Sequence, residues 1–199
     1  MTENIIPHSH AITQADRIKK LGYKPFLIWF VGLSGSGKST LASALEERLF
    51  SEGKNTYILD GDNIRSGLNK DLDFSDESRK ENIRRIAEVS KLFVDAGTVV
   101  LTAFITPFAE ERQKIKELIG KENYIEVFVN CPLEECEKRD VKGLYAKARR
   151  GEIKNFTGID SPFEKPTNAD VVVESHKVTI EDGVEAIYKI VKEKIDINE

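Results

Sequence analysis

The sequence predicts an α/β fold: one five-stranded parallel sheet with helices on both faces. Two observations carry this reading. Apolar runs of the kind found in buried strands alternate five times with stretches at helical spacing. The first such run leads straight into a glycine-rich loop and then a helix, in that order. A chain of 199 residues suits one domain with a full core. We therefore expect an N-terminal arm over 1–24 and a single domain over 25–199.

The first strand is Phe26-Leu27-Ile28-Trp29-Phe30-Val31, continuously apolar as a strand buried on both faces must be. Gly32-Leu33-Ser34-Gly35-Ser36-Gly37-Lys38-Ser39 follows and matches G-x-x-x-x-G-K-[ST], the P-loop that holds nucleotide phosphates. Leu41, Leu45 and Leu49 then mark one face of a helix. Phosphate binding needs backbone N–H groups turned inward, and the glycines permit those dihedrals and keep side chains away. The helix start at Lys38 to Leu41, with Ser39 and Thr40 between them, adds unpaired N–H groups and the positive end of the dipole. Lys38 is expected on the β- and γ-phosphates of the nucleotide and the Ser39 hydroxyl on Mg²⁺. No G-x-G-x-x-G can be written through these glycines, which excludes a dinucleotide fingerprint.

The second strand, Thr56-Tyr57-Ile58-Leu59, runs into Asp60-Gly61-Asp62-Asn63-Ile64-Arg65. Ligands of open α/β sheets bind beyond the carboxyl ends of strands, so two carboxylates and an arginine there make a candidate site. Asp-Gly and Asp-Asn also form plain turns. Phe74-Ser75-Asp76 opens a long helix over about 77–96, with Ile83, Ile86, Ala87, Ser90, Phe93 and Val94 as its buried stripe. Arg79, Asn82 and Arg85 lie off that stripe, and Arg79 and Asn82 share a face. The third strand spans 98–105. Thr106 is expected to cap the next helix, with Pro107 at its first position and Ile119 near its end.

The fourth strand covers 124–129, and Pro132 starts a helix through Glu137. Segment 139–166 is the most basic part of the chain, with Lys147, Arg149, Arg150 and Lys154. Its glycines, prolines and lack of periodicity read as a mobile lid facing the P-loop. The fifth strand is 169–173, and Thr179 with Asp182 forms a capping-box start to a helix lined by Val184, Ile187, Val191 and Ile195.

The bulk numbers exclude several classes. A net charge of −4 offers no general attraction to nucleic acid or membrane, so neither is an expected partner. There is no apolar run of 18 residues, and Met1 to Lys20 lacks a signal-peptide core. Cys131 and Cys136 are five apart, not a metal spacing, and two thiols without an export signal suggest the cytoplasm. His8 and His10 have no third ligand nearby and read as part of a solvated arm.

Asn69-Lys70-Asp71-Leu72 begins like the GTPase motif N-K-x-D but lacks its final Asp. The third strand ends in Phe104-Ile105-Thr106 without the acid of a Walker B strand, and the acids end the second strand instead. That arrangement suits a P-loop kinase of small molecules, with Asp60 and Asp62 facing the acceptor and the metal. Two alternatives stand beside it: a nucleoside or shikimate-type kinase, and a non-catalytic nucleotide-binding module. An inert module has no need of Lys38, Asp60 and Asp62 together.

The blocks Phe30 to Thr40, Leu59 to Arg65 and Arg79-Lys80-Glu81-Asn82-Ile83-Arg84-Arg85 resemble those of adenylyl-sulfate kinases. More specific is Lys142-Gly143-Leu144-Tyr145 through Gly151-Glu152-Ile153-Lys154 to Phe156-Thr157-Gly158-Ile159-Asp160-Ser161-Pro162. The resemblance covers about residues 8–166 in order and spacing. It implies transfer of the ATP γ-phosphoryl group to the 3′-hydroxyl of adenosine 5′-phosphosulfate, with Mg²⁺, in sulfate activation. It further implies a homodimer. By the same analogy Arg65, Arg79 and Asn82 contact the acceptor's phosphosulfate and ribose. Phe74 and Phe156 would sandwich its adenine, with Ile105, Lys142 and Leu144 nearby, and Arg139 would lie against the ATP adenine. Asp62 is expected to orient or deprotonate the 3′-hydroxyl and Asp60 to help through Mg²⁺, two roles open to exchange. Many members have Ser where this chain has Thr106, and some carry a phosphoryl group there. A carrier role for Thr106 thus competes with the helix cap, and the cap is the expectation. The segment after Pro166 matches poorly and receives no ATP contact. The fused sulfurylase domain of some relatives is not expected.

Overall fold

A computed structural model describes residues 6, 8, 10–73 and 75–196. Five strands, β1 (Leu27–Val31), β2 (Thr56–Asp60), β3 (Val99–Ala103), β4 (Tyr124–Asn130) and β5 (Val171–Glu174), form one all-parallel sheet. Their order is β2-β3-β1-β4-β5. Strand β2 therefore forms one edge, β3 inserts between it and β1, and β4 and β5 continue on the other side of β1, so the crevice where the order reverses lies at the carboxyl end of β1.

The apolar run of β1 is explained by its neighbours. Ile28 and Phe30 join a core with Leu41, Leu45 and Leu49 of α2 (Lys38–Ser51) and Val184, Ile187 and Val191 of α8 (Ile180–Ile195). Leu27, Trp29 and Val31 face the opposite way, toward Ile83, Ile86 and Val94 of α4 (Asp76–Asp95) and Ile115 and Ile119 of α5 (Ala109–Ile119). A strand packed on two faces cannot alternate polar residues. Edge strand β2 does expose Tyr57, whose ring meets Phe93 of α4 at 5.1 Å. A third cluster joins Leu33, Cys131, Cys136, Tyr145, Ala148 and Phe156 behind the P-loop.

The chain before β1 is more ordered than an arm with one helical turn. Helix α1 (Gln14–Leu21) has two turns and a capping box, in which Thr13 N donates to Asp16 Oδ2 at 2.8 Å and Asp16 N donates to Thr13 Oγ1 at 3.3 Å. Leu21 lies so close to Gly97 that a Cβ there would sit 2.5 Å from Leu21 Cδ1. Tyr23 is buried, its hydroxyl donating to Gly97 O at 3.1 Å, and Lys24 N donates to Ile195 O at 2.9 Å.

Strand β3 stops at Ala103, two residues short of the expected end, and β5 starts two residues late at Val171. The cap of α5 is a clearer correction. Thr106 does not cap it: the helix starts at Ala109, and Phe108 stands at the N-cap without a side-chain bond. Thr106 is instead buried with φ of 43°, and its Oγ1 accepts from Trp29 Nε1 at 2.9 Å. The buried indole N–H needs a partner, and that need takes the hydroxyl away from the helix. Thr179 does cap α8, accepting from Asp182 N at 3.1 Å. Among the described residues no helix is long and apolar enough to cross a membrane.

Candidate active site

The loop after β1 is shaped by close approach. A Cβ on Gly32 would lie 2.6 Å from Val129 O and 2.8 Å from Ser36 Oγ, so only glycine fits. Gly37, with φ of 101°, opens α2. Lys38 is buried and folded back over its own loop, donating to Gly32 O at 2.9 Å and Leu33 O at 2.7 Å. Burial holds its pKa down at about 8, with the Cys136 thiol opposing and the Lys142 cation assisting. Ser39 and Thr40 are exposed on the first turn of α2.

Opposite this cradle, β2 ends at Asp60. Its Oδ1 accepts from Asp62 N and Asn63 N, each at 3.0 Å, and its Oδ2 from Asn63 Nδ2 at 3.1 Å. Asp60 is thus the N-cap of the short helix α3 (Gly61–Ser66), and the turn reading of Asp-Gly gives way to a helix start. Asp62 is exposed in the first turn and forms an ion pair with Lys142. That contact reaches from the turn before α7 (Leu144–Arg149) across to α3.

At the end of α3, Arg65 donates to Leu72 O at 3.3 Å and Asp73 O at 2.9 Å. Burial and then the nearby Arg79 cation push its pKa down, with Asp73 opposing. Asn82 is buried in α4, and its Oδ1 accepts from Asn69 Nδ2 at 2.9 Å. Arg79 also reaches the field of Asp160. That carboxylate is held below its usual range by the Asn155 N–H first and the Phe156 N–H after it, against burial, with Arg79 adding to them. Phe156 is buried edge-on to Tyr145 at 5.0 Å, and the Tyr145 hydroxyl donates to Ser34 O at 2.9 Å. Ile105 and Leu144 are half-buried. Phe74 lies outside the described residues.

On the other flank, Arg139 closes over the loop. It donates to Gly35 O at 3.3 Å, Ser36 O at 3.4 Å and Ser175 O at 3.1 Å. A cavity of about 250 Å³ opens beside it, lined by Gly37, Leu41, Arg139, Val173, Val178 and Ile180. Its apolar walls and guanidinium edge suit a flat base. Sequence reasoning missed Val173, Ser175, Val178 and Ile180, because no motif marks the segment after Pro166. The one available signal was position: Val173 lies near the carboxyl end of β5 and the other three follow it, where α/β sheets place ligands.

The structure places Lys38, Ser39, Asp60, Asp62, Arg65, Arg79 and Asn82 on the segments that follow β1 and β2, and Arg139 and Lys142 on the segment that follows β4, which reaches them through Gly35, Ser36 and Asp62. Thr106 stands apart from the phosphate cradle in its bonding. Its hydroxyl is held by Trp29, and its carbonyl accepts from Arg112 Nη1 at 2.9 Å.

Comparison with known proteins agrees with this geometry. A profile of the adenylylsulphate kinase family matches residues 24–174. The chain is 55% identical over 195 residues to the adenylyl-sulfate kinase of Geotalea daltonii, covering 98% of this chain and 96% of that one. It is 56% identical over 184 residues to a probable adenylyl-sulfate kinase of Bacillus subtilis, covering 92% of each. Among solved structures it superposes with a TM-score of 0.81 on the Mycobacterium tuberculosis APS kinase in complex with AMPPNP and APS. That match has 44% identity and covers 85% of this chain and 98% of that one.

Proposed function

The chain belongs to the adenylyl-sulfate kinase family, and on that premise we propose that it transfers the γ-phosphoryl group of ATP to the 3′-hydroxyl of adenosine 5′-phosphosulfate (APS), giving 3′-phosphoadenosine 5′-phosphosulfate and ADP in sulfate activation. The supporting observation is a pair of anion-binding flanks facing each other at one edge of the sheet. The phosphate loop ends β1, and the Arg65 and Arg79 guanidiniums, close enough for one to lower the other's pKa, serve the acceptor side. Two crowded cations are stabilised by an acceptor that carries a phosphosulfate.

Each residue then has a role. Lys38 exchanges the Gly32 and Leu33 carbonyls for the β- and γ-phosphates. Ser39 and Asp60 would hold Mg²⁺ beside those phosphates. Mg²⁺ keeps most of its waters and takes only one or two carboxylates, which suits a donor set of one hydroxyl at the start of α2 and one carboxylate at the end of β2. When bound, the ion would neutralise charge on the β- and γ-oxygens. Asp62 takes the proton of the 3′-hydroxyl as the new P–O bond forms, the bond to the β-phosphate oxygen breaks and ADP departs. Lys142 must release Asp62 for this, and an exposed pair is weak enough to part readily. Arg65, Arg79, Asn82 and Lys142 hold the acceptor. Phe74 and Phe156, with Ile105 and Leu144, border its adenine, and Arg139 with the cavity beside it takes the ATP adenine. The enzyme works in the cytoplasm as a homodimer.

Coupled measurement of ADP release with several acceptors tests this. APS should be the fastest acceptor, and faster turnover of a nucleoside or of shikimate would reject the assignment. Asp62→Asn should fold normally and lose about 10²–10⁴-fold in kcat, the worth of a general base. Near-normal turnover in that variant would remove Asp62 from the mechanism.

A further inference from the structure

Asn69 is completely buried, yet it belongs to the irregular loop 67–73 between α3 and α4. Its Nδ2 donates to Asn82 Oδ1 at 2.9 Å, while its own Oδ1 has no partner among the described residues. An unpaired buried amide oxygen costs stability, so packing alone does not account for an asparagine here. The loop that carries it is clamped at several points. Asn69 N donates to Ile64 O at 3.0 Å, and Leu72 N donates to Asn69 O at 3.1 Å. The Asp71 carboxylate takes both Arg85 Nη1 and Nη2 at 2.8 Å, fixing the loop to α4. The Leu72 and Asp73 carbonyls in turn hold Arg65.

We propose that Asn69 is a positioning residue that sets the orientation of the Asn82 side-chain amide. The two ends of an asparagine amide have nearly the same shape, so only hydrogen-bond partners choose between its two orientations. The Asn69 donor holds Asn82 Oδ1 toward the loop, which leaves Nδ2 to donate to the acceptor nucleotide. The ligand atom met there is a hydrogen-bond acceptor: a phosphosulfate oxygen, a ribose oxygen or a base nitrogen. The opposite orientation would set a carbonyl oxygen against that atom. This inference rests on the reading of Asn82 as an acceptor contact.

Asn69→Asp tests it. Burial raises the pKa of a carboxyl here, so the assay is run at the alkaline end of the stable range; there the ionised carboxylate only accepts, and Asn82 must turn Nδ2 toward the loop and present Oδ1 to the ligand. The KM for APS should rise about 10- to 100-fold, the worth of one hydrogen bond to a charged ligand. The KM for ATP should stay unchanged and kcat at saturating APS should hold within about threefold. Lowering the pH protonates the new carboxyl, which then donates, so the KM for APS should drift back toward wild type. A merely structural role would lower the melting temperature and leave that KM alone. If Asn69→Asp does not fold, Asn69→Ser, too short to reach Asn82, should raise the KM for APS about 3- to 10-fold at constant KM for ATP. An APS KM within about twofold of wild type in folded Asn69→Ser, or in folded Asn69→Asp across the whole alkaline range, overturns the proposal. The wild-type choice of acceptor is measured first. If another nucleotide is preferred, the same variants are assayed with that one, so failure of the substrate assignment and failure of the Asn69 role give different results.

Discussion

Lys38 shows how one buried charge couples folding to ligand binding. Burial lowers its pKa from an ordinary lysine's 10.5 to about 8. A group depressed this way destabilises the fold while charged, so its cost is full below about pH 8 and fades as the pH rises toward 10.5. Phosphates favour the charged form, so nucleotide binding should take up a proton above about pH 8 and weaken by up to about tenfold per pH unit there. Calorimetry in buffers of different ionisation enthalpy should show that uptake at about pH 8.5 and little at about pH 7. No greater proton uptake at about pH 8.5 than at about pH 7 would mean that Lys38 is not the phosphate ligand. Thr106 illustrates a different conflict. Thr followed by Pro reads locally as a helix cap, but Trp29, 77 residues away, claims the hydroxyl. Thr106→Val keeps the shape and strands the indole N–H, so we expect a loss of about 1–3 kcal/mol and a melting temperature about 3–10 °C lower. Thr106→Ser, which keeps the acceptor and relieves a β-branched residue at φ of 43°, should melt at or above wild type. Both should turn over within roughly tenfold of wild type. A fully stable Thr106→Val protein with turnover abolished would favour the phosphoryl-carrier role.

At the scale of elements, the strand, glycine loop and helix of 27–51 were legible because every cue is local: an apolar run, a spaced motif and a four-residue repeat. Helix α1 was harder to read, since its stability comes from packing on Gly97 and from a short capping box at Thr13 and Asp16. Segment 139–166 was legible as an exception to periodicity, and the structure gives it physical content. Tyr145, Ala148, Phe156 and Thr157 anchor it behind the P-loop, while Lys147, Arg149, Arg150 and Lys154 stay exposed. Arg139 reaches the P-loop at Gly35, and Lys142 reaches Asp62 at the end of β2, the two flanks proposed for nucleotide and acceptor. A segment that touches both flanks should tighten when both are filled. Trypsin cleavage at Lys147, Arg149, Arg150 or Lys154 should slow when ADP and APS are added together. Cutting at the same rate with and without them would argue against a lid.

For the whole molecule, the five-stranded parallel sheet follows from the alternation of elements, but the strand order does not. Whether each crossover turns to one side of β1 or the other depends on contacts between distant residues, such as Val127 pairing with Val171. The cavity beside Arg139 was invisible for the same reason, since its walls come from α2, α6 (Leu133–Arg139) and the start of α8. The sheet also separates its two rims. The candidate site residues gather at the carboxyl rim, while the hydrogen bond from Lys24 to Ile195 joins the segment before β1 to the end of α8. The backbone is therefore nearly a closed ring. Which element comes first along it is a matter of where the ring is cut, and a short bridge across that bond with a new cut in an exposed turn such as 52–54 would leave the same neighbours in place.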